Sequence, residues 1–206
     1  LDHPLDFNHP GSRDEHGIIE FLPHVAYMDS RITFESENPL NRGHVAIMGT
    51  TGVSFDGVGF INLGRTRAAV NLDSTTLDAA GNVTHVGTNQ IGRYALHAHH
   101  HRGTMSARNF VIDGSPKAGL VIHDSHYGLY ERFVSVGANG CGVFLEIGNE
   151  WRNVIQDGFI AKCFGSNGAP YTRQQLKPDP DFGHEGSCIW VRGPCMSTIR
   201  RIVGAN

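Results

Sequence analysis

From residue 43 onward, short runs of alternating apolar and polar residues return in the same order, separated by glycine-rich turns. In an extended segment successive side chains point to opposite faces. Across Tyr94 to His101 this places Tyr94, Leu96 and Ala98 on one face and Ala95, His97, His99 and His101 on the other. The stretch is followed by Thr104 to Ala107 and by Phe110 to Ile112. The same triplet of short strands returns at Gly119 to His123, Leu129-Tyr130 and Phe133 to Val136, and again at Gly142 to Glu146, Val154-Ile155 and Phe159 to Ala161. An earlier copy opens at Gly43 to Met48, and a later one at Ser187 to Val191. Leu96 and Leu120 are 24 residues apart, and Leu120 and Val143 are 23 apart. A period of that size, with three short strands per unit, predicts an all-β chain folded as a parallel β-helix, a solenoid of about six coils. A β-sandwich is the competing all-β reading, but it calls for two-residue Asn-Gly or Asp-Gly hairpins, which are scarce here.

Two segments interrupt the period, residues 65–90 and 165–185, each just before the first strand of the next unit. Insertions at equivalent corners emerge on one edge, so both are expected to wall the surface carrying the histidines. Residues 1–17 lack periodicity and read as an irregular arm from which Asp2, His3, Asp6 and His9 can reach a site. The chain is read as one domain over residues 1–206. It opens at Leu1 and ends within a strand-like stretch, so it is expected to be a fragment of a longer chain, with other domains as partners.

Composition narrows the class. Hydrophobic residues at 39%, charged residues at 18% and 26 glycines suit a folded β-rich protein rather than a disordered one. A formal charge of -3 gives no electrostatic footprint for nucleic acid. No apolar run reaches the roughly 18 to 20 residues needed to span a bilayer. Cys141, Cys163, Cys188 and Cys195 form no CxxC pair, which argues against a zinc knuckle and leaves thiols or one disulfide open. There is no P-loop, no dinucleotide fingerprint and no GxSxG elbow.

Three motifs follow one another in order: Asn41-Arg42-Gly43-His44, Asn62-Leu63-Gly64-Arg65-Thr66, and Gln90-Ile91-Gly92-Arg93-Tyr94-Ala95-Leu96-His97-Ala98-His99. Together they resemble the β-helix region of the cell-migration-inducing hyaluronidase, transmembrane protein 2 and fibrocystin-like family. The opening Leu1-Asp2-His3-Pro4-Leu5-Asp6 looks most like large secreted bacterial members. The resemblance covers most of residues 1–145. It implies a right-handed parallel β-helix, an extracellular or secreted setting and, in some members, hyaluronan depolymerisation. Fibrocystin-like members are not known as enzymes.

The histidines carry the candidate chemistry. Four of thirteen fall within residues 97–101. If Val45, Leu96, Leu120, Val143 and Ile189 stack one above another about 4.8 Å apart, His99 and His123 come within reach of one ion. His97 and His99 lie about 7 Å apart along one strand face, and three imidazoles with an open position form a recognised metal site. The metal ligands are therefore expected to be His97, His99 and His123, with His44 as a fourth. The ion is a divalent transition metal, zinc foremost, with copper or iron as alternatives. Glu146 and Asp124 are the catalytic acid–base candidates, and Asp73 and Asp78 lie near. Arg65, Arg93 and Arg102 can neutralise a uronate in a lyase, although Arg65 and Arg93 also read as structural anchors. Trp190 and Tyr127 are sugar-stacking candidates, Tyr94 reads as core, and His24 and His85 read as ordinary histidines. The expected function is a carbohydrate-active protein degrading a polysaccharide, such as a glycosaminoglycan, by hydrolysis or elimination. The alternative is a non-catalytic glycan- or protein-binding module with a structural histidine ladder.

Overall fold

The computed structural model describes residues 11–21, 26–165, 186–193 and 195–205. The arm residues Asp2, His3, Asp6 and His9, together with His24 and all but the first residue of the 165–185 insertion, lie outside the described residues.

In chain order the strands are β1 Ser12–Arg13, β2 Ile19–Phe21, β3 Ile32–Glu35, β4 Val45–Met48, β5 Val53–Asp56, β6 Val58–Ile61, β7 Thr76–Leu77 and β8 Val83–His85. They continue as β9 Leu96–His99, β10 Met105–Asp113, β11 Leu120–His123, β12 Gly128–Val136, β13 Val143–Leu145, β14 Trp151–Ala161, β15 Ile189–Val191 and β16 Met196–Ala205. The all-β class and the parallel pairing agree with expectation; the closed solenoid does not. The strands hydrogen-bond as separate sheets rather than as a closed six-coil β-helix. One parallel sheet has seven strands, another has five in the order β15-β13-β11-β9-β4, and β1-β2 and β7-β8 are antiparallel pairs.

The reason lies in the corners. Each expected unit had three short strands, yet in the units after the first, where β5 and β6 stay separate, the second and third are one long strand. Asn109, Arg132, Asp157 and Arg201 take positive φ near +50° and bend β10, β12, β14 and β16 without ending them. Two strands per period then feed two hydrogen-bonded sheets.

The sheets share one core. Leu96, Ala98, Leu120, Ile122, Val143 and Leu145 of the five-stranded sheet meet Phe60, Phe110, Ile112, Phe133, Ile155 and Ile160 of the seven-stranded one. In-register pairing puts Val45, Leu96, Leu120, Val143 and Ile189 in one row. With that row turned inward, the alternate residues His97, Val121 and Phe144 face the other way, His97 opposite Ala46 and His99 opposite both Met48 and His123.

Gly148 closes the turn after β13. Its φ is +96°, and a Cβ there would lie 2.1 Å from the Arg192 carbonyl oxygen. Gly148→Ala is therefore expected to destabilise the protein by about 2–3 kcal/mol, read as a lower urea midpoint.

Candidate metal centre

His97, His99 and His123 each offer a ring nitrogen such that all three atoms lie within 4.8 Å of one another. Two strands do this: β9 supplies His97 and His99 from one face, and β11 supplies His123 directly beside His99. The rings pack closely, with 4.7 Å between the centroids of His99 and His123 and 5.0 Å between those of His97 and His99.

The hydrogen bonds fix which nitrogens are available. His97 Nδ1 lies 2.9 Å from the Gly92 carbonyl oxygen, and a carbonyl can only accept, so Nδ1 carries the proton. The lone pair of the neutral ring is then on Nε2, which is buried and makes no hydrogen bond, Glu146 Oε2 lying 4.0 Å away. His123 Nδ1 donates to Glu146 Oε2 at 2.7 Å, leaving its Nε2 as the donor atom. His99 Nδ1 is likewise buried without a hydrogen bond. Buried ring nitrogens without hydrogen bonds are costly in an apolar interior, and a cluster of this kind could hold a metal ion.

The electrostatics favour the neutral form of His97 and His99, the form that binds metal. Burial pushes His97 down to about 4, against weaker upward pulls from Glu146 and the Gly92 carbonyl. Burial also lowers His99, helped by the charges of His123 and His100. Burial pushes the Glu146 carboxyl upward, but its bonds from His123 and Tyr94 and the nearby histidines outweigh that, so it lies below the ordinary carboxylate range. The Tyr94 hydroxyl donates to Glu146 Oε1 at 2.7 Å, so both carboxylate oxygens are engaged. A carboxylate holding the far nitrogen of a ligating histidine is the usual outer partner of a metal site.

The centre opens into a pocket of about 240 Å³, also lined by Ala46, Met48, Gln90, Ile91, Gly92 and Arg93. Among the described residues Glu146 is its one carboxylate.

The other expected site residues fall elsewhere. His44 precedes β4, is not part of the converging triad and is lowered by burial and by Arg93 and Arg65. Asp124 is taken up by Arg102 at 2.5 Å and Asn149 at 2.7 Å, with His126 and His100 about its rim. Asp73 pairs with His85 at 2.5 Å, and Asp78 binds Asn82 and its own turn. Trp190 lies level with Phe144 on the outer face, half-buried against Tyr94, Val121 and Phe144, and Tyr127 is half exposed. His100 turns to positive φ and stacks on His99 with 4.1 Å between centroids.

Tyr94 and Gly92 are the functional residues that sequence reasoning did not place. Tyr94 reads as a core aromatic, and only its hydroxyl, aimed across two strands at Glu146, reveals the second role. The Gly92 carbonyl acts through its backbone, so no side-chain pattern announces it.

No family model matches this chain, and neither the curated proteins nor the solved structures contain a match. No helix among the described residues is long and apolar enough to cross a membrane.

Proposed function

We propose that this chain carries a metal-dependent, carbohydrate-active site in an extracellular polysaccharide-degrading protein. The observation that carries it is the convergence of three imidazoles, with two buried ring nitrogens that make no hydrogen bond, at the floor of a pocket. His97, His99 and His123 hold the ion, with zinc favoured by an all-imidazole donor set and copper or iron next. When bound, such an ion supplies Lewis acidity that polarises a substrate oxygen. Carbohydrate as the substrate class is supported by the motif resemblance of residues 41–99 to the hyaluronidase-like family.

The chain's own groups do the positioning. Gly92 sets the His97 tautomer, Glu146 sets that of His123, and Tyr94 holds Glu146 in place. Asp124, held by Arg102 and Asn149, does not line the pocket and is not available there as a second carboxylate. Glu146 is the carboxylate within reach, held ionised by the bonds from His123 and Tyr94, and is the group there that could take up a proton.

The test is metal content by plasma mass spectrometry on untagged protein. About one equivalent of zinc, copper or iron is expected. No bound metal after soaking with each ion defeats the proposal. With metal present, loss of polysaccharide turnover in a folded His99→Ala variant supports the enzyme, and no turnover by the wild type on any polysaccharide supports a binding module.

Glu146→Gln keeps the size and one acceptor oxygen for His123 Nδ1–H, turns the Tyr94 contact into one donated by the amide, and removes the charge behind His123. It is expected to weaken metal binding about ten- to a hundredfold, measured by competition with a chromogenic chelator.

A further inference from the structure

A second pocket, of about 530 Å³, lies away from the histidines between the turn at residues 39–42 and the start of the first insertion. Three arginines line it, Arg42, Arg65 and Arg67, and no described carboxylate does. This is unlike other arginines of the chain: Arg102, Arg108, Arg132 and Arg201 each sit against an Asp or Glu. Two of the three are held from behind by carbonyls, which add no negative charge. Arg42 donates to the Pro39 oxygen at 3.1 Å and to the Gly114 oxygen, and Arg67 donates to the Thr88 oxygen at 3.2 Å. Arg65 is exposed and lines the pocket, and its backbone N–H anchors to the Arg93 carbonyl at 2.6 Å. The notion that Arg65 is only an anchor therefore applies to its backbone.

The rest of the pocket fits an organic body rather than a bare ion. Pro39, Leu40 and Pro116 supply apolar walls. Gly64 also lines it, with φ +99°, and a Cβ there would come within 3.0 Å of Pro116 and of Ser115 Oγ. The volume lies within the range of small-molecule sites. Guanidinium forks match the oxygens of phosphate, sulfate and carboxylate groups.

We infer that this pocket binds a small organic oxyanion, a phosphate or sulfate monoester, through Arg42, Arg65 and Arg67. The site is separate from the histidine centre and does not depend on it.

The experiment is isothermal titration calorimetry at constant ionic strength, with glucose 6-phosphate, glucose 6-sulfate, inorganic phosphate and uncharged glucose as probes. Saturable binding of one or both esters is expected, tighter than that of inorganic phosphate, with none for glucose. The two esters tell phosphate from sulfate. In the Arg65→Gln/Arg67→Gln variant the affinity should fall at least about tenfold. Both side chains are exposed, so the variant should keep its melting temperature and its metal content, which separates this site from the histidine centre. No saturable binding of any anion up to about 10 mM, or equal binding by the variant, overturns the inference.

Discussion

With alanine at both His97 and His99, the protein is expected to retain less than about a tenth of an equivalent of metal. Two of three ligands go, and His123 alone cannot close a site. Each outer partner of a ligand is worth ten- to a hundredfold in affinity, so losing two ligands costs at least on the order of a thousandfold. The thermal shift gives an independent reading. Metal at a hundred times its Kd stabilises the wild type by about 2.7 kcal/mol, and this increment should vanish in the variant. His97 is 2% exposed, so its truncation also leaves a cavity. A His97→Asn/His99→Asn pair keeps more volume, and the first of the two introduced amides can donate to the Gly92 carbonyl. If either pair, still folded by circular dichroism, binds metal like the wild type, the triad is not the metal site.

The candidate site was legible in the sequence because β-strand geometry is periodic. Alternation put His97 and His99 on one face, and the 24-residue spacing brought His123 level with His99, as the pairing of β9 and β11 shows. Glu146 follows β13 and reaches the same pocket for the same reason. The closed solenoid failed for an equally local reason. Polar residues such as Asn109 and Arg132 look like chain corners, yet a single positive φ bends a strand while its ladder continues on both sides. Sequence spacing cannot separate a bend from a break. Asp124 misled in a similar way. It is one residue beyond β11, but its positive φ of +43° turns it toward Arg102 and Asn149. His44 sits one residue short of β4, level with Ala95 rather than with His97. The arginine pocket was least visible, since its members come from segments more than twenty residues apart.

The metal-free protein should lose stability as pH falls from about 6.5 toward 5, and His97 accounts for a defined part of that loss. Burial holds His97 at about 4 in the folded chain, against the ordinary 6.5 once unfolded. Below 6.5 the unfolded chain takes up a proton that the folded chain refuses, so stability declines with acid. Above 6.5 the ring is neutral in both states and the contribution is constant; below about 4 it is constant again. The slope between is about 1.4 kcal/mol per pH unit for one proton, so His97 contributes about 2 kcal/mol from pH 6.5 to 5. His99 and His44 are also depressed by burial and add to the same trend. The carboxylates Glu146, Asp124, Glu131, Asp157 and Asp73 are held below their ordinary values, and their stabilisation is lost at lower pH, mostly outside this window. Urea unfolding in chelator at pH 6.5 and 5.0, for wild type and His97→Asn, isolates the His97 share. The wild type should lose about 2 kcal/mol more than the variant over that interval. Equal losses would mean that His97 is protonated in the folded chain near its ordinary pKa. Its Nε2 would then carry a proton at mildly acid pH and could not ligate a metal there.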